Sequence, residues 1–174
     1  MNEPVHTFRL ATPDDAEALL KIYEPYIATT VTNETQVPAL GEFRQRIVER
    51  DGAYPYIVCE EDGRPVGYAY GSRLFSRAAY AWSAELSVYF STDHRGRGLG
   101  RAIYGKLFDL LALQGVRTVV GKVVCPNEKS DHLHEKMGFE LVGMLRAASW
   151  KLGAWHDVHL WEKHIGDVEA EPAP

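Results

Sequence analysis

The segment Asp93-His94-Arg95-Gly96-Arg97-Gly98-Leu99-Gly100-Arg101 constrains this chain more than any other. Its three glycines alternate with basic and apolar residues. A strand-like run, 82–90, precedes it, and a run with the apolar period of a helix, 101–114, follows. Glycine tolerates positive φ and lets a backbone approach a ligand closely. The first amides of a helix have no intrahelical partner, and the dipole there favours an anion. Strand, glycine-arginine turn and helix start together predict a phosphate cradle.

The rest of the chain supplies a mixed α/β frame for that turn. Strands are expected at 7–10, 54–60, 65–71, 117–124 and 138–145. The stretch 61–64, Glu-Asp-Gly-Arg, joins the second and third of these as a hairpin. A last hairpin is expected from 149–151 and 155–161, turning at Leu152-Gly153-Ala154. Thr12-Pro13-Asp14-Asp15 is a helix start with Asp15 at the capping-box position, and Pro25 should end or kink that helix. Phe43, Ile47 and Val48 mark a second helix, and 127–137 a short fourth. Between the first two helices, 29–40 reads as an irregular loop. Residues 1–165 form one domain, and the acidic, Pro- and Ala-containing 166–174 is expected to be a disordered tail.

Charge narrows the ligand. The net charge is −5, which argues against general nucleic-acid binding, yet Arg95, Arg97 and Arg101 cluster at the glycines. That combination suits a small anion. No apolar run is long enough for a membrane helix, so no membrane partner is expected. Met1-Asn2-Glu3-Pro4 lacks the regions of a signal peptide, and Cys59 and Cys125 form no CxxC, so a cytoplasmic location is expected. Metal binding is not expected: His132 and His134 fall on different helix faces, and His156, Asp157 and His159 match no ligand spacing.

Three nucleotide readings compete for the cradle. The glycines lack the GxGxxG spacing of a dinucleotide fold. Gly100 to Lys106 superficially fits GxxxxGK, but Leu107 stands where a magnesium-binding hydroxyl is needed. The third reading is a resemblance. Arg95-Gly96-Arg97-Gly98-Leu99-Gly100 resembles the R/Q-x-x-G-x-G/A pyrophosphate loop of the GNAT N-acetyltransferases. Asn127 followed by His134-Glu135-Lys136-Met137-Gly138-Phe139 is similar to a later element of that family, and with the β/α order the resemblance covers 7 to about 164. Ser72-Arg73, Ala79-Tyr80-Ala81-Trp82, Glu85-Leu86-Ser87-Val88-Tyr89, Pro126-Asn127, Leu133-His134-Glu135 and Trp150-Lys151-x-Gly153-x-Trp155-His156-Asp157 resemble, more closely, the phosphinothricin and methionine sulfoximine branch of that family.

This resemblance implies the GNAT fold: a mostly antiparallel mixed sheet of about seven strands with flanking helices and a splayed strand pair at the cofactor site. It implies acetyl-CoA as cofactor. Val88, Tyr89 and Phe90 would be backbone partners of pantetheine, and Arg95, Gly96, Arg97, Gly98, Leu99, Gly100 and Arg101 would hold the pyrophosphate. Asn127, also a good helix cap, and Ser130 would add contacts. Glu85 is the expected general base: strand alternation puts Ser83, Glu85, Ser87 and Tyr89 on one face and Trp82, Ala84, Leu86, Val88 and Phe90 on the other. His134 stands where many relatives carry a Tyr, and either donates a proton to sulfur or is a structural helix histidine.

An acceptor pocket is expected from Arg73, Phe75, Arg77, Tyr80 and Trp82, with Glu85, Leu86 and Ser87 beside it. Arginine suits a carboxylate or phosphinate, and aromatic walls suit a short side chain. The implied acceptor is a small amino acid or analogue of the phosphinothricin or methionine sulfoximine type. A protein N-terminal or lysine acetyltransferase and a non-catalytic CoA-binding regulatory module stay open as alternatives. Trp150, Trp155 and Trp161 are expected in the core or at the contacts of a homodimer.

Overall fold

The computed structural model describes residues 5–172. The N-terminal four residues read above for targeting, and the last two of the expected tail, lie outside them. In chain order the elements are β1 (His6–Leu10), α1 (Ala16–Ile27), α2 (Leu40–Arg50), β2 (Tyr56–Glu61), β3 (Arg64–Arg73), β4 (Ser83–Phe90), α3 (Leu99–Leu113), β5 (Thr118–Val124), α4 (Glu128–Lys136), β6 (Glu140–Lys151) and β7 (Ala154–His164). The seven strands make one sheet ordered β1-β2-β3-β4-β5-β7-β6. All neighbours pair antiparallel except β4 and β5, which run parallel.

Both faces of the sheet are covered at β2, which is why that strand reads as a continuous apolar run rather than an alternating one. Ile57 and Cys59 of β2, with Ala69, Ala84, Leu86 and Phe90, pack under Leu99, Ile103, Leu107 and Leu111 of α3. Tyr56, Val58 and Tyr68 face the other way, against Leu19, Ile22 and Tyr23 of α1 and Phe43 and Ile47 of α2. The β2–β3 turn is the expected one. Asp62 and Gly63 take φ of 49° and 78°, the paired positive values of a type I′ hairpin.

Three expectations need correction. Pro25 does not end its helix, because α1 continues to Ile27; so close to the C-terminus, one lost backbone bond is tolerated. The segments 138–145 and 149–151 are one strand. β6 runs unbroken from Glu140 to Lys151, with its register shifting between Leu145 and Ser149, where Ala147 has φ 47°. α3 starts at Leu99, not Arg101, on a left-handed Gly98.

The feature that positions the site is where β4 and β5 part. Their ladder joins Ser83–Leu86 to Thr118–Gly121 and stops, although both strands run on. Beyond Leu86 the two strands diverge into a gap.

Candidate active site

The gap presents backbone. Ser91 N–H donates to Val66 C=O across the β3 edge at 2.9 Å. Alternation along β4 therefore turns the N–H and C=O of Tyr89 toward β3, and those of Val88 and Phe90 into the gap. Phe90 already has a partner there. It donates its N–H to the Tyr26 hydroxyl at 3.1 Å, and that hydroxyl donates to Phe90 C=O at 2.5 Å. Of the three residues expected to offer backbone to pantetheine, Val88 is the one whose groups open into the gap.

Next along the chain is the loop expected to cradle an anion. Gly96 and Gly98 both have φ of 78°, and open space lies where a Cβ would stand. L side chains are strained there, and none crowds the approach. Leu99 is buried and anchors the turn in the core. Gly100 serves packing instead: a Cβ there would meet Leu133 of α4 at 3.3 Å. Arg95, Arg97 and Arg101 are exposed around the α3 N-terminus. A groove of about 430 Å³ continues along α3, lined by Gly98, Arg101, Ala102, Gly105, Lys106 and Asp109. The loop is braced from behind. Glu61 accepts from Arg97 at 3.2 Å and from His94 Nε2 at 2.8 Å, while Ser91 Oγ meets His94 Nδ1 at 2.7 Å. The Glu61 carboxyl is held below its ordinary range, chiefly by the His94 hydrogen bond.

Glu85 lies in mid-β4 on the α1–α2 face, opposite the buried Ala84 and Leu86. Its side chain is 27% exposed, and Lys122 Nζ donates to its carboxylate at 2.7 Å. Lys122 stands two residues beyond Val120, the parallel partner of Glu85, so alternation brings it to the same face. A carboxylate, a nearby ammonium and an opening of free strand backbone thus meet at one end of the parallel pair.

Residues 8–160 match the model of the acetyltransferase (GNAT) domain. The chain belongs to the GNAT acetyltransferase family. It is 37% identical over 169 residues to a phosphinothricin N-acetyltransferase of Streptomyces viridochromogenes, covering 95% of this chain and 91% of that one. It is 27% identical to an L-methionine sulfoximine/L-methionine sulfone acetyltransferase of Salmonella typhimurium, covering 96% and 99%. A phosphinothricin acetyltransferase from Sinorhizobium meliloti, solved with AcCoA, superposes with a TM-score of 0.92 at 31% identity, over 97% of this chain and 93% of that one.

GNAT acetyltransferases use acetyl-CoA, and these residues fit it. The cradle of glycines, exposed arginines and helix amides suits a diphosphate. An extended chain bearing amides suits the open edge of β4.

His134 is set as an acceptor. It is 3% exposed, and its Nδ1 bonds the Ser130 carbonyl at 2.8 Å, so that nitrogen carries the proton. Nε2 is buried without a partner, aimed at Gly121, where the β4–β5 ladder ends. Burial lowers the pKa of the ring, which favours the neutral form. This tautomer has no proton at Nε2 to give a thiolate, which corrects the general-acid expectation. Asn127 caps α4, accepting from Ser130 N–H at 3.3 Å.

The expected acceptor residues divide. Ser87 shares the face of Glu85 and pairs across to Tyr70. Arg73, the last residue of β3, is exposed, as are Phe75, Arg77 and Tyr80 in the segment leading to β4, with the Phe75 and Tyr80 rings 4.7 Å apart. Leu86 and Trp82 need correction. Leu86 is in the core under α3, and Trp82 packs against Gly115 at the end of α3. Both side chains sit across the sheet from Glu85. Sequence reasoning missed Tyr26 and Lys122. Lys122 was within reach of strand alternation on β5, whereas nothing local to Tyr26 points to Phe90, 64 residues away.

Proposed function

We propose that this acetyltransferase moves the acetyl group of acetyl-CoA onto the amino group of a small amino acid or analogue carrying a second anionic or strongly polar group, of the phosphinothricin or methionine sulfoximine type. Transfer is direct, in a ternary complex. The observation that carries the mechanism is the position of Glu85, on the same strand whose backbone opens at Val88.

Glu85 takes a proton from the substrate ammonium, directly or through one water. The free amine nitrogen attacks the thioester carbonyl carbon, and the carbonyl oxygen is polarised by a Val88 backbone N–H in the manner of an oxyanion hole. The C–S bond breaks, and the coenzyme A thiolate takes its proton from solvent, since His134 keeps its own on Nδ1. Lys122 holds the Glu85 carboxylate from the β5 side. The exposed guanidinium of Arg73 and the Phe75–Tyr80 pair would receive the side chain of the acceptor. The names of the relatives, together with these polar and aromatic groups near β4, support this acceptor class.

We place the protein in the cytoplasm, where acetyl-CoA is available; among the described residues no helix is long and apolar enough to cross a membrane. We also propose a homodimer through the β6–β7 hairpin, where Leu141, Val142, Met144, Leu145, Trp150 and Trp155 are exposed on an edge strand and its neighbour.

A thiol-release assay with acetyl-CoA and a panel of acceptors tests the function. Free amino acids, phosphinothricin and methionine sulfoximine should release coenzyme A far faster than N-terminal or lysine peptides. Preference for peptides would replace this reading by a protein acetyltransferase, and no release with any acceptor would leave a coenzyme A-binding module.

A further inference from the structure

We propose that Tyr26 is a positioning residue of the coenzyme A site, fixing in one contact the last residue of the open β4 edge and the first arginine of the anion loop. The proposal rests on the acetyl-CoA reading of the gap. Tyr26 sits in the last turn of α1 and is only 7% exposed. Its hydroxyl uses its proton on Phe90 C=O and one lone pair on Phe90 N–H, at 2.5 Å and 3.1 Å. Both backbone groups belong to a residue that is itself 7% exposed, so without the hydroxyl they would stay buried and unpaired. The ring meets Tyr89 edge-on at 5.1 Å, which holds it in place. The Arg95 guanidinium lies over the same ring, 4.5 Å from its centre.

Two consequences follow for the ligand. Because Phe90 is already satisfied, strand-like pairing along the gap ends at Val88, and the ligand chain must leave the sheet there. A guanidinium held over an aromatic ring is bound by its charge and not through its N–H donors, which stay free for a phosphate. Tyr26 therefore marks the point where the amide-bearing arm of coenzyme A stops pairing with strand and its charged end begins.

The test uses Tyr26→Phe, which removes only the hydroxyl, and Tyr26→Leu, which also removes the ring under Arg95. Each folded variant, checked by thermal melting, is assayed with acetyl-CoA and with S-acetylpantetheine, which lacks the pyrophosphate, and its Kd for coenzyme A is measured by calorimetry. Tyr26→Phe should raise KM for both donors by about three- to tenfold, the scale of one hydrogen bond, with kcat at saturation kept. Tyr26→Leu should add a further rise seen with acetyl-CoA alone, and Kd for coenzyme A should follow. An unchanged or lowered KM in Tyr26→Phe, a fall in kcat in its place, or an equal loss on both donors in Tyr26→Leu overturns the proposal. Wild-type protein that binds no coenzyme A would instead sink the acetyl-CoA reading itself.

Discussion

Glu85 and His134 approach the β4–β5 junction from opposite faces of the sheet, and their surroundings give them opposite chemistry. Glu85 is part-exposed and paired with Lys122. Glu85→Gln keeps the shape and removes the proposed base. Its kcat should fall by about a hundredfold or more at saturating acetyl-CoA, the usual span of general-base catalysis, while Kd for coenzyme A is unchanged. Turnover equal to wild type from pH 6 to 9 would remove Glu85 from the mechanism. His134 is buried as a neutral ring, with its pKa lowered from the ordinary 6.5. Below that ordinary value the unfolded chain binds a proton that the folded chain resists, so stability is full above it and declines as pH falls toward the folded value. His134→Gln can still donate to Ser130 C=O but does not titrate. Melting temperatures measured from pH 7.5 to pH 5.5 should therefore fall less steeply in the variant than in the parent. Parallel curves would mean that the ring does not resist protonation.

At the level of strands and helices, most of the architecture could be read from residue pattern. Turn chemistry at Asp62-Gly63 and Gly115, and the helical period through Ile103, Leu107 and Leu111, each act over a few residues. The face of Glu85 followed from alternation in the same way. Features fixed by contacts distant in sequence were not legible. The last turn of α1, beyond Pro25, is held by Tyr26, whose hydroxyl bonds the backbone of Phe90, 64 residues away. The single long β6 is held by β7 across an irregular register. Leu86 and Trp82 lost their expected pocket role because the strand parity that separates them from Glu85 also turns them to the face that α3 covers. Gly121 shows how tightly the junction is built. A Cβ there would stand 2.2 Å from His134 Nε2 and 2.7 Å from its Cδ2. Gly121→Ala must drive the ring from its place beside Trp161 and Phe139. Urea unfolding should show a loss of about 1–3 kcal/mol, the ordinary cost of overpacking a core. An unchanged midpoint would show that the ring moves freely.

Across the whole molecule, the sheet has two unlike edges. β1 is short and carries charge, with Arg9 bound to Asp15 and Glu60 at 2.7 Å. β6 is twelve residues long, and its apolar side chains stand in solvent. Its Trp150 meets Trp155 across the hairpin at 5.3 Å, both rings more than half exposed. Trp150→Glu should convert a dimer to a monomer in light scattering after size exclusion, without loss of helix or strand signal; a monomeric parent would refute the proposed dimer. The parallel contact has a consequence of its own. It is a seam between a block of β1 to β4 and a block of β5, β7 and β6, stitched along only part of its length. A ligand lying against Val88, as proposed, would fill the unstitched part and act as an eighth strand. Its apparent affinity then includes the work of holding the two blocks at the right separation, and the heat stability it confers measures the closing of the seam as much as its own contacts.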